Sequence, residues 1–282
     1  KKHANRSFHR TPEIMRFFEN EYGVAYPWQK MDQITIPGIG GGAESTTATI
    51  LGEKTIHDSK AEKDFPSHWL VAHEAAHHWR GDYVTMGNWH HAWINESFAT
   101  YGEYLYSTFQ YGKVEGKINL WKKKQSYLNE YRNRYSRPMV HPYWEYPNQN
   151  FDSHIYPRGA AVLHMLRQLV GDDVFKEFQE EFLNRFAFGN PTTEDLIGVF
   201  NDVAEKDYTW FFKQWVLSAG HPQLNIESSW KKGELTVAIN QTQVGRKTPT
   251  KYYLPSKIAF FYKNVNTYFK LSVFVFFSRR LF

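Results

Sequence analysis

The spacing of hydrophobic residues divides this chain of 282 residues into a long helical part and a shorter C-terminal β part. Apolar side chains recur every three or four residues in the first part, which is typical of helices packed on one face. This spacing predicts helices near residues 11–22, 66–80, 90–110, 113–135, 157–170, 172–187, 192–205 and 207–218. After Gly220-His221-Pro222 the period shortens to two, which predicts strands at 224–230, 234–241, 256–262 and 268–277.

Local signals locate the ends of several of these elements. Thr11 and Pro12 predict a capped start of the first helix, and Gly23 predicts its end. Thr192 to Asp195 predicts a capping box at the start of a later helix. The residues from 137 to 155 are rich in proline, asparagine and aromatics, and we expect a long ordered loop near the functional site.

A small N-terminal sheet is predicted where residues 31–36 and 46–51 are β-prone. Gly40, Gly41 and Gly42 lie between them, and glycines next to a strand let another backbone approach closely. An extended substrate could pair with that edge as an added strand. A plain flexible turn is the alternative, and on the glycines alone we favour the turn.

The composition narrows the class of protein. Hydrophobic content of 41% and charged content of 22% are ordinary for a globular protein, although aromatics reach 18%. The net charge is +5, but the basic runs are short and no recognition motif accompanies them, so we expect no nucleic-acid partner. The chain has no cysteine, which excludes disulfides and a cysteine-type zinc site, and no apolar stretch is long enough to predict a membrane span.

Candidate chemistry is concentrated in His73-Glu74-Ala75-Ala76-His77 and in Glu96, which follows 18 residues later. Positions i and i+4 share a helix face, so His73 and His77 can bind one ion. Glu74 is rotated by about 100°, beside the metal, where a general base belongs. Glu96 needs a second segment, because a continuous helix would place it roughly 28 Å from His77.

Two imidazoles and one carboxylate leave a fourth ligand position open, which is typical of a catalytic zinc site. We therefore predict one Zn²⁺ per chain that lowers the pKa of a bound water to about 7. An accidental match to a five-residue pattern is the alternative, and the downstream Glu96 argues against it. Glu103 lies on the same face as Glu96 and is either a hydrogen-bond acceptor for a ligand imidazole or a solvated carboxylate. Tyr156 precedes Pro157 at a loop–helix junction, and the residue pattern alone favours an ordinary aromatic.

Taken together, these motifs resemble the aminopeptidase N family of zinc metallo-aminopeptidases, the gluzincins with an HExxH-(18)-E signature. The resemblance runs from about Ser7 to Leu224 and includes His73 to Asp82, Trp93 to Ala99 and Tyr156 to Ala160. It implies an α+β fold with a thermolysin-like, mostly helical catalytic domain at residues 1–220. A small N-terminal sheet belongs to that domain, and the start of a β-sandwich domain is expected at residues 221–282.

The resemblance also implies roles for individual residues. Zinc would be bound by His73, His77 and Glu96, Glu74 would act as base and acid, and Tyr156 would stabilise the oxyanion. The family's exopeptidase signature, Gly-Ala-Met-Glu-Asn, falls on the substrate-binding stretch Gly41, Gly42, Ala43, Glu44 and Ser45. Glu44 would then bind the free α-amino group, while Ala43 for Met and Ser45 for Asn alter the first side-chain pocket. Arg158 replaces the usual Lys and keeps its charge.

The leading functional hypothesis is a zinc aminopeptidase that acts on peptides with a free N-terminus. A non-catalytic scaffold on the same fold and a thermolysin-like endopeptidase are the alternatives. The family's N-terminal β-domain is absent, so we expect the catalytic core of a longer protein that self-associates and is weakly active when made alone. Export from the cytoplasm is favoured by the lack of cysteine and by peptide-scavenging chemistry. The sequence does not indicate the oligomeric state or the preferred N-terminal side chain.

Overall fold

The computed structural model describes residues 2–264 and 267–275. It divides into two compact units, Lys1–Leu217 and Ser218–Phe282. This division lies close to the change of period that predicts a boundary after residue 220. The first unit contains the helices and a small sheet, and the described residues of the second form strands and loops. An α+β architecture with a mostly helical first part is therefore confirmed.

The first unit opens with two helices, α1 (Lys2–Phe8) and α2 (Thr11–Tyr22). The sequence did not predict α1. Gly23 ends α2 in a left-handed conformation with φ of 70°, as expected. The expected cap at Thr11 is wrong: Thr11 is the first helical residue, and its hydroxyl donates to Gln33 Oε1 at 2.7 Å. The Thr11 hydroxyl therefore bonds to a side chain distant along the chain instead of capping the helix.

The N-terminal sheet has three strands, β1 (Asp32–Ile36), β2 (Gly42–Ala43) and β3 (Ala48–Gly52). Their order is β1-β3-β2, with β1 parallel and β2 antiparallel to β3. The preference for a plain flexible turn at the glycines is thus wrong in part. Gly41 turns the chain with φ of 75°, but Gly42 pairs with Leu51 and Ala43 pairs with Ile50.

Eight further helices complete the first unit. They are α3 (Ala61–Asp64), α4 (His68–His77), α5 (Trp93–Tyr111), α6 (Lys113–Asn133), α7 (Pro157–Val170), α8 (Asp172–Arg185), α9 (Thr193–Val203) and α10 (Thr209–Trp215). The capping box at Thr192 and Asp195 is present. Helix α3 was not predicted, and α4 ends three residues earlier than expected, with Gly81 and Gly87 in the irregular segment that follows.

Helix α4 lies at the centre of the first unit, between α5, α2 and strand β2. All its residues from Val71 to His77 are buried. Aromatic rings fill the core around it, among them Phe18, Trp79 and Phe98. Because buried polar groups need partners, the imidazoles and carboxylates on α4 and α5 must satisfy one another or a bound ion.

The second unit contains two antiparallel hairpins. Strand β4 (Leu224–Lys231) pairs with β5 (Glu234–Gln241), and β6 (Ser256–Asn264) pairs with β7 (Thr267–Val275). Four strands appear where four were predicted. Phe276 and Phe277, the end of the predicted Phe-rich strand, lie outside the described residues. Within the described part of the chain, no helix is both long and apolar enough to cross a bilayer.

Candidate metal centre and active site

Three side chains from two helices converge on one point. His73 and His77 project from α4, and Glu96 projects from the first turn of α5. The two Nε2 atoms are 3.1 Å apart, and Glu96 Oε2 lies 3.4 Å from His73 Nε2 and 3.2 Å from His77 Nε2. A tetrahedral ion with bonds of about 2.0–2.1 Å has ligand atoms about 3.3 Å apart. The triangle therefore has the size that zinc requires.

The electrostatics of this triangle also fit a cation. Glu96 Oε2 is buried and has no hydrogen-bond partner among the described residues, so a cation bound beside it would satisfy this acceptor. Burial lowers the pKa of His77, yet the carboxylates of Glu96, Glu44 and Glu74 together outweigh burial and raise it to about 10. Burial also lowers the pKa of His73, but the neighbouring carboxylates of Glu103 and Glu96 raise it to about 9. Positive charge is thus favoured at this point, as protons or as a metal ion.

The other ring nitrogens of both imidazoles are held in place. His73 Nδ1 lies 2.9 Å from Glu103 Oε1, and His77 Nδ1 lies 3.1 Å from the carbonyl oxygen of Arg80. Each Nδ1–H can donate to that oxygen, which leaves Nε2 free to bind an ion. Of the two interpretations of Glu103 left open by the sequence, the structure places it against His73.

Lys123 on α6, which the sequence did not single out, binds Glu103. Its ammonium donates to Glu103 Oε2 at 2.7 Å. Burial raises the pKa of Glu103, but Lys123 and His73 lower it to about 2, so the carboxylate stays ionised. Lys123 belongs to the run Lys122 to Lys124, and the two outer lysines are exposed while Lys123 is half-buried. Only the helical phase distinguishes it in the sequence.

Glu74 lies beside the triangle, with its carboxylate against the backbone of β2. A Cβ atom built on Gly42 would lie 2.4 Å from Glu74 Oε1 and 2.9 Å from its Cγ. The carboxylate therefore occupies space that any larger residue at position 42 would take. Burial raises the pKa of Glu74 to about 7. A carboxyl group with a pKa near neutrality suits proton transfer in both directions.

Tyr156 also lies beside the ligand triangle. It precedes Pro157, which begins α7, and its ring stacks on His73 with centroids 6.0 Å apart and planes at 22°. Burial raises the pKa of the Tyr156 hydroxyl, and the Glu96 carboxylate raises it further, so the phenol keeps its proton and can donate a hydrogen bond. The structure thus brings Tyr156 to the cleft, beside His73.

These side chains line one cleft of about 450 Å³. Gly40, Gly41, Gly42 and Glu44 also line this cleft, together with Trp69 and Leu70. Glu44 follows β2 and is about one-third exposed, with Oε1 3.9 Å from His77 Nδ1. The structure thus brings Gly41, Gly42 and Glu44 to the cleft, whereas Ala43 lies outside its lining.

Comparison with known proteins agrees with this geometry. The Peptidase family M1 domain matches residues 6–215. Aminopeptidase N of Streptomyces lividans is 30% identical over 235 residues, and aminopeptidase 2, mitochondrial, of Saccharomyces cerevisiae is 28% identical over 254 residues. These alignments cover 77% and 85% of this chain but 26% of each relative, so the chain spans about a quarter of their length.

Solved structures give the same result. The M1 zinc metallopeptidase of Deinococcus radiodurans is 25% identical, with a TM-score of 0.60 over 73% of this chain and 43% of that protein. A two-domain M1 zinc metallopeptidase, in a mutant form bound to L-tryptophan, is also 25% identical, with a TM-score of 0.57 over 71% of this chain and 43% of that one. From its match over three-quarters of its length and from the ligand triangle on α4 and α5, this chain belongs to peptidase family M1.

Proposed function

We propose that this chain is the catalytic part of a zinc aminopeptidase, which removes the N-terminal residue of peptides. The observation that carries the proposal is the set of His73, His77 and Glu96, whose facing atoms lie 3.1–3.4 Å apart beside Glu74 and Tyr156. A zinc ion held there would supply Lewis-acid activation of water near neutral pH. The names of the relatives, aminopeptidase N and aminopeptidase 2, support the same class of reaction.

The surrounding side chains divide the reaction between them. Glu74 accepts a proton from the attacking water and returns it to the leaving amine, for which a pKa near 7 is suited. Tyr156 donates a hydrogen bond to the oxygen that gains negative charge, because its hydroxyl stays protonated. The cleft between them, at about 450 Å³, admits a side chain and a peptide bond.

Glu44 provides the basis for N-terminal specificity. Its carboxylate lies within 4.8 Å of the nearest oxygen of Glu74 and the nearest ring nitrogen of His77, on the cleft wall. A substrate α-ammonium paired with Glu44 would place the first peptide carbonyl between Tyr156 and the ligand triangle. The two-domain M1 zinc metallopeptidase bound to L-tryptophan supports recognition of a free amino-acid end at this site. An endopeptidase would have no use for a carboxylate at this position.

The test is a panel of matched substrates, free and N-acetylated aminoacyl-arylamides, assayed with and without a zinc chelator. An aminopeptidase hydrolyses only the free amines and stops when the chelator is added. Equal rates on blocked and free substrates would select an endopeptidase. One equivalent of bound zinc without hydrolysis of any substrate would select a non-catalytic scaffold.

Two variants separate the metal-binding role from the proton-transfer role. Glu96→Ala removes a ligand, so it should lose zinc and activity together. Glu74→Ala should keep zinc and lose turnover, because its carboxylate lies beside the triangle rather than in it. Zinc content by elemental analysis, measured alongside the rate, checks both expectations. Equal loss of zinc in the two variants would contradict these assignments.

The cellular location stays a prediction. Chemistry that recovers amino acids from peptides, in a chain without cysteine, favours export from the cytoplasm. Fractionation of the source cells, followed by the free-amine assay on each fraction, tests it. Activity confined to the cytoplasmic fraction would refute it.

A further inference from the structure

The loop that delivers Tyr156 to the cleft is built around a buried ion pair. Arg137 Nε donates to Asp152 Oδ2 at 2.8 Å, and Arg137 Nη2 donates to Asp152 Oδ1 at 2.7 Å. The two side chains are only 7% and 4% exposed. Parallel hydrogen bonds from a guanidinium to a carboxylate fix orientation as well as distance. The pair therefore determines how the two ends of the loop face each other.

Arg137 binds backbone on both sides of the loop. Its Nη1 donates to the carbonyl oxygens of Pro138 at 2.8 Å and Met139 at 3.1 Å, and its Nη2 also donates to that of Asn150 at 2.8 Å. One guanidinium thus joins the segment after α6 to the segment before Tyr156. A lysine could not replace it, because its ammonium lacks the planar fork.

The backbone of Asp152 connects the ion pair to Tyr156. Its backbone carbonyl oxygen accepts from the N–H groups of Ile155 at 3.2 Å and Tyr156 at 3.3 Å. The Ile155 carbonyl oxygen accepts from Ser97 Oγ at 2.7 Å, and Ser97 is the neighbour of Glu96 on α5. The backbone at Tyr156 is therefore held from two sides, by the ion pair and by the helix that carries a metal ligand.

Glu130, Asp152 and His154 could alternatively be a second metal site, since their ligand atoms lie within 4.8 Å of one another. Their oxygens, however, already have partners. Glu130 Oε1 accepts from Arg134 at 2.7 Å, and Glu130 Oε2 accepts from the backbone N–H of Ser153 at 2.6 Å. With Arg137 on Asp152, the charges of this cluster are balanced without an ion.

We infer that Arg137 is a positioning residue for Tyr156, which acts through Asp152 to hold the phenol at the site of the developing oxyanion. The inference rests on the proposed function, since it concerns the same reaction. Arg137 does not touch the cleft, so its effect on catalysis must pass through the loop. The pair is positioned to fix the phenol before any substrate arrives, which is what a preorganised donor requires.

A double-mutant cycle tests the inference. Arg137→Met should lower kcat by about 10²-fold with little change in KM, the scale expected when a catalytic group is misplaced by about 1 Å. In a Tyr156→Phe background the same change should lower kcat by less than about 3-fold, because the group it positions is already gone. Arg134→Met is the matched control, since Arg134 belongs to the same cluster but is 64% exposed, and it should keep kcat.

A second measurement needs no catalysis. Hydrogen exchange at the Ile155 and Tyr156 amides should be at least 10-fold faster in Arg137→Met than in Arg134→Met, with zinc content unchanged. If Arg137→Met does not fold, Asp152→Asn keeps the side-chain size and the backbone acceptor and takes its place in both measurements. Equal kcat losses with and without the Tyr156 hydroxyl, or unchanged exchange, would overturn the inference. If neither the unsubstituted protein nor any variant hydrolysed a substrate, the proposed function would be refuted instead. The hydrogen-exchange result would still decide whether Arg137 positions Tyr156.

Discussion

The contact between Gly42 and Glu74 predicts how much kcat should fall when Gly42 is replaced by alanine. A Cβ atom at position 42 would lie 2.4 Å from Glu74 Oε1 and 2.7 Å from its Cδ. An ordinary van der Waals contact begins near 3.4 Å, so Gly42→Ala must displace the carboxylate by about 1 Å. A displacement of that size at a catalytic group costs about 10²-fold in rate. We therefore expect kcat to fall about 10²-fold in Gly42→Ala, with zinc retained.

The assay is steady-state hydrolysis of a free aminoacyl-arylamide, with zinc measured on the same samples. Gly40→Ala is the matched control, because Gly40 lines the same cleft but a Cβ there has no atom within 4 Å. It should keep kcat within about 3-fold. Full kcat in Gly42→Ala would refute this reasoning and show that Glu74 has a second productive position.

Three further predictions follow from buried charges. Lys123→Met should weaken zinc binding by about 10-fold, because it releases the carboxylate that orients His73, whereas the exposed Lys124→Met should leave zinc titrations unchanged. Arg80→Met should raise the free energy of unfolding by about 1–4 kcal/mol in urea titrations, since the guanidinium is fully buried and hydrogen-bonds to none of the described residues. Burial lowers the pKa of His68 from 6.5 to about 4, so the stability that depends on neutral His68 is fully present above pH 6.5 and is lost as the pH falls towards 4. His68→Asn should therefore make the melting temperature depend less on pH over that range.

What the sequence predicted well is set by local geometry. The i, i+4 spacing of His73 and His77 and the seven-residue spacing of Glu96 and Glu103 fix relative directions on a helix, whatever packs against it. In the structure, His73 and His77 accordingly face Glu96 at one point, and Glu103 lies against the other ring nitrogen of His73. The start of α7 after Tyr156 was predicted for the same reason, because Pro157 restricts the backbone on either side.

What the sequence did not predict depends on partners distant along the chain. Lys123 reaches Glu103 from another helix, and no local pattern distinguishes it from the lysines on either side. Arg137 and Asp152 lie 15 residues apart in a loop, where no periodicity relates one residue to the next. Gly42 pairs with Leu51 on a neighbouring strand, and the glycines by themselves indicate only a turn. Each of these contacts is set by packing, which propensity and spacing do not encode.

Helix α5 carries Glu96, Ser97 and Glu103, and its regular geometry restricts where insertions can be tolerated during evolution. A residue inserted between Glu96 and Glu103 would rotate the second carboxylate by about 100° and shift it by about 1.5 Å, away from His73. An insertion in the loop between α6 and α7 meets no such constraint, provided that Arg137 and Asp152 still pair. Length variation among descendants of this chain should therefore accumulate around residues 140–149 and be excluded from 96–103, and growth selection on a library of single-residue insertions would reveal that contrast.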